Sequence, residues 1–135
     1  MSASPGFIEL LKDLLAPAGA IAVKRMFGGA GIYIDGCFIA IVDRDVLYFK
    51  TDDRTRKAFE DEGMGPFAYD TKHGPGVLKS YWRAPERLLD ESDERAEWAR
   101  TALGVARRAE AAKAKRSINS PQKAKTAPPQ KPKRR

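Results

Sequence analysis

The 135-residue sequence predicts an α+β fold, in which helical segments flank a series of short strands joined by tight turns. Two observations support this prediction. Apolar residues recur at helical spacing near both ends of the first 115 residues. Between them, short β-type runs alternate with turn signals such as Asp35-Gly36. Such short turns join strands as antiparallel hairpins.

The first helix is predicted over residues 5–16. Ser4 is a suitable N-cap and Pro5 suits the first helical position. Its apolar residues fall three or four apart: Phe7, Leu10, Leu11 and Leu14. Pro17 and Gly19 then end the helix.

A group of β-type runs comes next. They are Ala20–Phe27, Gly31–Ile34, Cys37–Val42 and Val46–Lys50. Asp35-Gly36 separates the second run from the third, and residues 43–45, Asp-Arg-Asp, separate the third from the fourth. A glycine after aspartate accepts a positive φ without strain, so these positions predict hairpin turns.

The following segment predicts a short helix over Arg54–Glu62, with Asp52 or Asp53 as its cap and Gly63 after its end. Residues 64–67 and 71–76 are rich in glycine and proline and predict loops. A short β-type piece at residues 68–69 lies between them. A further strand is predicted over Val77–Arg83.

The last helix is predicted from Asp93 towards Lys115, after a short helical turn that follows Pro85. One apolar face is expected along it. That face is formed by Trp98, Ala99, Ala102, Leu103, Val105, Ala106 and Ala109.

Charge divides the chain into a nearly neutral body and a basic tail. Residues 1–112 carry 16 basic and 18 acidic side chains, a net charge of −2. Residues 113–135 carry +9, from Lys113, Lys115, Arg116, Lys123, Lys125, Lys131, Lys133, Arg134 and Arg135. From Ser117 onwards proline is frequent and apolar residues are few, which is typical of disorder. We therefore predict a domain over residues 1–116 and a disordered tail over 117–135.

The tail has two possible roles. Nine positive charges without a neutralising acid attract a polyanion, so these residues are candidate contacts to DNA or RNA. Such binding would not depend on sequence, because nothing in the tail reads base edges from a fixed position. The other interpretation is a solubilising extension without a partner.

Composition also limits the environment and the chemistry. No run of ~18 apolar residues is present, which argues against a membrane span. The first residues show neither a basic start nor a long apolar stretch, so no secretory signal is expected. Cys37 is the single cysteine and His73 the single histidine, which argues against an internal disulfide and a zinc site. The prediction is a cytoplasmic protein without metal or cofactor.

The glycine cluster of residues 28–31 raises the question of a phosphate-binding loop. A dinucleotide fingerprint needs a third glycine and a helix directly after the loop, and a Walker loop needs Gly-Lys-Ser/Thr. Here Gly31 is followed by Ile32, Tyr33 and Ile34, a β-type run. The cluster therefore predicts a hairpin bend, with one glycine as a possible bulge.

Several strings in order make the chain similar to a known family. They are R-M-F-G-G-A-G-I-Y-I-D-G, L-Y-F-K-T-D-D with R-x-x-F-E after it, G-M-G-P-F-A-Y and S-Y-W-R-A-P-E. Over about residues 10–110 the chain resembles the N-terminal domain of the TfoX/Sxy family. The residues of the motif that we assign structural roles are Arg25, Met26, Phe27, Gly28, Gly29, Gly31, Gly36, Tyr48, Lys50, Asp53, Phe59, Pro66, Phe67, Tyr69, Tyr81 and Pro85.

The resemblance implies a bacterial regulator of natural-competence genes that acts with the cyclic-AMP receptor protein at promoters. It also implies a two-layer fold, an antiparallel sheet covered by helices in the order α-β-β-β-α-β-β-α. Two-domain members carry a C-terminal helical domain similar to helix-hairpin-helix modules. Here only the basic tail follows Glu110.

No catalytic set stands out. Cys37 and His73 are the only candidate nucleophile and base, and Cys37 opens an apolar run that predicts a buried thiol. The acids at positions 52, 53 and 60–62 fit helix capping and a solvated face. We therefore predict a non-enzymatic regulatory or adaptor domain with a protein partner, such as a transcription factor or an RNA polymerase component. The alternatives are a small enzyme acting on nucleic acid or nucleotide and a purely structural dimerisation module.

The aromatic residues leave two hypotheses open. The run Cys37–Val42 is apolar at every position, so this strand is buried on both faces or meets another chain. Large rings accompany it: Tyr33, Tyr48, Tyr81 and Trp82. They fit a core with a homodimer face, or a platform on which single-stranded nucleic acid stacks. The negative body and the absence of a basic sheet face in the pattern argue against the platform.

Overall fold

The structure is a computed structural model, and it describes residues 3–26 and 29–119. Its elements are α1 (Pro5–Leu15), β1 (Ile21–Met26), β2 (Gly29–Ile34), β3 (Cys37–Asp43), β4 (Val46–Lys50), α2 (Arg56–Asp61), β5 (Pro66–Thr71), β6 (Gly74–Arg83) and α3 (Ser92–Asn119). Short 3-10 turns follow α1 at Ala16–Ala18 and precede α3 at Glu86–Leu89. The predicted α+β class is confirmed.

The strands form one antiparallel sheet of six, in the spatial order β1-β2-β3-β4-β6-β5. Four strands precede α2, as the residue pattern predicted and one more than the order implied by the resemblance. β1 to β4 are consecutive hairpins, so each strand lies beside the one before it. β6 then pairs with β4, and β5 forms the far edge.

The core lies between the helices and one face of this sheet. Its fully buried large side chains are Leu11, Leu15, Ile32, Ile34, Ile39, Val42 and Phe49. The predicted apolar face of α3 contributes small residues, Ala99, Ala102 and Ala106, which allow the helix to approach the sheet closely. Ala109 is exposed, so the buried stripe ends one turn earlier than predicted.

The start of α1 follows its sequence signals. The Ser4 hydroxyl accepts a hydrogen bond from the Phe7 N–H at 3.3 Å, which confirms the predicted N-cap. Pro5 is the first helical residue. Gly19 has φ of 149°, a conformation that β-carbon sterics disfavour, and the chain there turns into β1.

The glycine cluster belongs to a β-hairpin. Met26 of β1 pairs with Gly29 of β2, and β2 continues through Gly31 into the turn before β3. No helix follows the cluster, so the structure supports the hairpin over a phosphate loop. A β-carbon on Gly29 would overlap the carbonyl oxygen of Val42, so glycine is needed for the close approach of β3. Phe27 and Gly28 lie outside the described residues.

β2 differs from the prediction in two details. β2 begins two residues earlier than predicted, at Gly29. The register shift between β2 and β3 lies between Ile32 and Tyr33 rather than at a glycine. A bulge at a β-branched residue carries no sequence signal of the kind that glycine gives.

The prediction of loops around a short β-type piece within residues 64–76 is wrong. β5 and β6 form a hairpin with a two-residue turn at residues 72–73. The Thr71 hydroxyl accepts from the His73 N–H at 3.1 Å, and Gly74 has φ of 108°. Pro75 is tolerated because this part of β6 pairs only with β5, which leaves one edge without a ladder partner.

The last helix runs three residues beyond the predicted domain boundary at residue 116. α3 ends at Asn119, so residues 117–119 are helical. The remaining tail, residues 120–135, lies outside the described residues.

Arg87 joins α2, the 3-10 turn before α3, and α3 itself. Its guanidinium lies 2.6 Å from Glu62, 2.6 Å from Glu94 and 3.2 Å from Glu91. The hydrogen bonds from Arg87 lower the pKa of Glu62 and lower the pKa of Glu94 to about 2. These carboxylates therefore favour the folded chain when they are ionised.

This ion cluster predicts a loss of stability in acid. The pKa of Glu94 is lower in the folded chain than its ordinary value of 4.5, so its contribution is complete above that value and is lost as pH falls towards 2. We expect Glu94→Gln to flatten the decline between pH 4.5 and 2. Glu97→Gln, at an exposed position on the same helix, should keep the wild-type decline. Urea unfolding followed by circular dichroism measures both, and equal slopes for Glu94→Gln and wild type would contradict the prediction.

Candidate nucleic-acid interface

The outer face is the sheet face turned away from the helices. Alternation along the strands assigns its residues, because partners across the sheet share a face. Gly31, Ile41 and Tyr48 form one row across β2, β3 and β4. Further pairs are Lys24 with Gly31, Tyr33 with Phe38, Lys50 with Tyr81 and Tyr48 with Arg83.

The arm, which we define as residues 67–80 of β5 and β6, crosses this outer face. β6 pairs with β4 only over residues 81–83, and the β5–β6 register shifts between Pro66 and Phe67. The Phe67 ring lies 4.8 Å from the ring of Tyr48, centroid to centroid. Near the arm's turn, Asp70 lies 3.7 Å from Arg44 in the β3–β4 turn. The arm therefore leaves the sheet plane and folds over β3 and β4.

A groove remains between the arm and the outer face. Its volume is about 600 Å³, and its lining is mainly apolar. The residues that matter most here are Phe38, Ile41, Phe67, Tyr69, Leu78 and Tyr81, with Asp43, Arg44 and Asp70 at the rim. Pockets of roughly 300–1,000 Å³ with this composition are typical of ligand sites.

Aromatic rings form two connected sets around the groove. Tyr33 stacks on Phe38 at 5.1 Å, and Phe38 lies 5.7 Å from Tyr81. On the arm side, Phe67 contacts Tyr48 and stacks on Tyr69 at 5.8 Å. Tyr33 and Phe38 are half-buried and Tyr69 is 38% exposed, so rings from both sets reach solvent.

Two lysines lie against these rings. The Lys24 ammonium is 5.3 Å from the centroid of Tyr33, and the Lys50 ammonium is 5.0 Å from that of Tyr81. Lys50 also donates to the Tyr81 hydroxyl at 3.3 Å. Burial, and to a smaller extent the Coulombic influence of the neighbouring Tyr33 hydroxyl, raise the pKa of Tyr81 to about 12, and burial raises the pKa of Tyr48. Both phenols are therefore neutral near pH 7, and the lysines bring net positive charge to the face.

Charge is unevenly distributed between the two sides of the domain. We define the outer layer as the outer face, the arm and Arg44 of the β3–β4 turn. It carries six basic side chains and two acidic ones, a net charge of +4, from Lys24, Arg44, Lys50, Lys72, Lys79, Arg83, Asp43 and Asp70. The other ten basic and sixteen acidic residues of 1–112 give −6. The body charge of −2 is the sum of these two parts.

The structure divides the four rings between the two faces of the sheet and corrects an expectation about the basic residues. It places Tyr33, Tyr48 and Tyr81 on the outer face, but Trp82 packs against the core and donates from Nε1 to the Lys79 carbonyl at 2.9 Å. The expectation that the sheet lacks a basic face is wrong. The basic residues of the outer layer are scattered between positions 24 and 83, and only the strand pairing brings them together.

The apolar run of β3 is covered in part by its own chain. Phe38 and Ile41 face outwards and are half-buried, because the arm lies over them. The sequence had suggested burial on both faces or contact with another chain. Intramolecular cover by the arm accounts for part of the apolar outer face.

The two candidate catalytic residues lie on different sides of the sheet. Cys37 is buried in the core between the sheet and the helices, which confirms the predicted buried thiol. His73 is exposed in the turn of the arm. A nucleophile and a base need to be within hydrogen-bond reach, and this arrangement keeps these two apart.

The acidic residues around α2 take part in local contacts. Asp52 accepts from the N–H groups of Arg54 and Thr55 and from the Arg108 guanidinium at 2.7 Å. Burial alone would raise the pKa of Asp52, but these hydrogen bonds together lower it. Asp53 pairs with Arg56. Within the described ranges 3–26 and 29–119, no three His, Cys, Asp or Glu residues are grouped so as to hold a metal ion.

Other residues of the motif have structural positions. The Arg25 guanidinium donates to the Ala3 carbonyl at 2.6 Å and so ties β1 to the start of the chain. Gly36 has φ of 83° in the β2–β3 turn. Phe59 is buried against Trp98, 4.7 Å between centroids. Of the basic tail residues, Lys113 is exposed on α3, and the side chains from Lys115 onwards lie outside the description.

No helix within the described part of the chain has the length and apolar character needed to cross a bilayer.

Comparison with known proteins identifies a family for this chain. A search of curated proteins found no match. A family model for the TfoX N-terminal domain matches residues 13–106, which is more than half of the 135 residues and includes all six strands. The chain therefore belongs to the TfoX N-terminal domain family.

Proposed function

We propose that this protein is a non-enzymatic regulatory domain of the competence type, which acts in the cytoplasm by binding other macromolecules. The observation that carries the proposal is the distribution of charge. Basic residues gather on the outer layer and over residues 113–135, whereas sixteen of the 18 acidic residues lie elsewhere. Membership of the TfoX N-terminal domain family supports the regulatory part of the proposal.

The basic tail supplies non-specific affinity for DNA. Residues 113–135 carry +9 and no acid, so each contact between a lysine and a phosphate releases a condensed counterion. The first of the nine basic residues, Lys113, is exposed near the C-terminal end of α3. It would hold the domain near a promoter without selecting a sequence.

A salt series tests this role of the tail. If half of the nine tail charges contact duplex DNA, log K falls with log salt at a slope of roughly −4. Replacing four of them, in Lys123→Gln, Lys125→Gln, Lys131→Gln and Lys133→Gln, should bring the slope to roughly −2. Fluorescence anisotropy of a labelled duplex measures both.

The matched control removes lysines from the helix side of the domain. Lys12→Gln with Lys57→Gln should leave the slope of the full chain unchanged, since both lysines pair with acids on their own helices. An unchanged slope in the tail variant, or an equal change in the control, would contradict the proposed role.

A protein partner completes the proposal. A regulator that reads no sequence itself needs a partner that does, and transcription factors and RNA polymerase components are the class that fits. We expect the full chain to migrate with purified RNA polymerase or with the cyclic-AMP receptor protein in gel filtration at low salt. Separate migration from both would remove this part of the proposal.

A further inference from the structure

We propose that the groove between the arm and the outer face binds single-stranded nucleic acid, with bases stacked on its rings and phosphates held by the outer-layer lysines. This site is distinct from the tail and goes beyond the proposed function. The proposal comes from the position of the rings, the shape of the groove and the charge of the layer.

The rings match the flat faces of bases. Phe38 and Tyr33 form a stacked pair at the sheet surface, and Tyr69 projects from the arm on the other side of the groove. A base that enters between Phe38 and Tyr69 meets aromatic surface on both sides. Base–aromatic stacking is tolerant of sequence, since every base has a π face.

The cations match a sugar–phosphate chain that crosses the sheet. Lys24 lies on β1 and Lys50 on β4, so ammonium groups stand at both sides of the ring set. Arg44 stands at the end of β3, at the rim of the groove. Asp43 and Asp70 offset Arg44 only locally, and the outer layer retains its net charge of +4.

The shape of the site favours a single strand over a duplex. The groove lies between the arm and the outer face, and rings from both line it. A duplex keeps its bases stacked inside and presents only phosphates, so it cannot fill this space. An unpaired strand can insert bases one at a time.

Charge also argues against a second copy of the chain as the occupant. Two-fold pairing through the outer face would place one +4 layer against another. Like charges brought together at an interface oppose association. A polyanion has the complementary sign.

Binding of short oligonucleotides to the full chain tests the proposal. The probes are a fluorescein-labelled oligothymidylate of ten nucleotides, an oligouridylate of the same length and an abasic strand with the same number of phosphates. Both base-containing strands should bind at least about fivefold more tightly than the abasic strand. Equal affinity for the abasic strand would overturn the proposal, because the site would then be only a patch of cations.

Paired variants locate the site. Phe38→Leu keeps the apolar volume and removes the aromatic face, and it should abolish the preference for bases over the abasic strand. Phe7→Leu makes the same change on α1, at the helix side, and should leave the preference intact. Tyr69→Ser, on the exposed arm, is the second test if Phe38→Leu does not fold. If the preference for bases over the abasic strand survives both Phe38→Leu and Tyr69→Ser, the groove is not the site where bases bind.

The salt dependence of binding tests the role of Lys24 and Lys50. Lys24→Gln with Lys50→Gln should reduce the salt slope for oligothymidylate by roughly 1.4, the value for two phosphates on a single strand. Lys12→Gln with Lys57→Gln should not change it. The tail variant distinguishes the two proposals, because it should lose duplex affinity and keep the preference for bases. If the tail variant loses the preference as well, the groove does not bind bases.

Discussion

Arg95→Ala is expected to lower the free energy of unfolding by about 3 kcal/mol, one of the largest effects of any single substitution that we predict. Arg95 is only 8% exposed. Its guanidinium donates to the carbonyls of Leu14, Leu88 and Leu89 at 3.1, 2.9 and 3.1 Å. These oxygens belong to the end of α1 and to the 3-10 turn before α3, where carbonyls have no partner within the helix.

The loss of stability comes as much from the carbonyl oxygens left without a donor as from the removal of the arginine side chain. Alanine at position 95 leaves one buried and two partly buried carbonyl oxygens without this donor, and a fully buried group of this kind costs roughly 1–3 kcal/mol. A lysine there keeps the charge but lacks the forked donors, so Arg95→Lys should recover part of the loss. Arg100→Ala, at an exposed position on the same helix, should change stability by less than about 0.5 kcal/mol. Urea unfolding followed by circular dichroism compares the variants. If Arg95→Ala lowers the free energy of unfolding by less than about 1 kcal/mol, Arg95 does not stabilise the fold through these carbonyls.

Gly29→Ala is expected to lower the free energy of unfolding by about 2–3 kcal/mol. The new β-carbon would overlap the Val42 carbonyl oxygen, and that oxygen belongs to the backbone of β3. A strand in the centre of the sheet cannot move aside without breaking its ladders with β2 and β4. The result would show that this glycine serves the packing of strands rather than a ligand.

Gly6→Ala provides the control for that substitution. Gly6 lies in α1 and has no atom within 4 Å of an added β-carbon. Alanine is favoured over glycine in a helix, so this variant should keep or raise stability by up to about 1 kcal/mol. Thermal and urea unfolding measure both variants. Wild-type stability for Gly29→Ala would contradict the close approach of β2 and β3.

Local signals explain the parts of the fold that the sequence predicts well. Ser4 before Pro5 identifies the start of α1, and Asp35-Gly36 identifies a hairpin, because each feature acts within a few residues. The sequence does not predict the β5–β6 hairpin, because the signals there are local too and favour a different structure. Gly74, Pro75 and Gly76 predict a loop by local preference, whereas the pairing of β5 with β6 determines the structure there.

The outer face could not be predicted because it depends on contacts between distant residues. Lys24 meets Tyr33, and Lys50 meets Tyr81, only after β1 pairs with β2 and β4 with β6. The net charge of −2 for the body concealed a basic layer of +4. The sequence did show that the rings were numerous. It could not show that Trp82 points into the core while Tyr81 points outwards.

The most direct test of the account is to map where a single strand binds. In a nuclear magnetic resonance titration of the full chain with oligothymidylate, the amide signals of Lys24, Tyr33, Phe38 and Tyr81 should shift together. Trp98, which packs on Phe59 at the helix side, should remain unchanged. Shifts confined to residues after Lys113 would show that the tail alone binds the strand and would contradict a nucleic-acid site on the sheet.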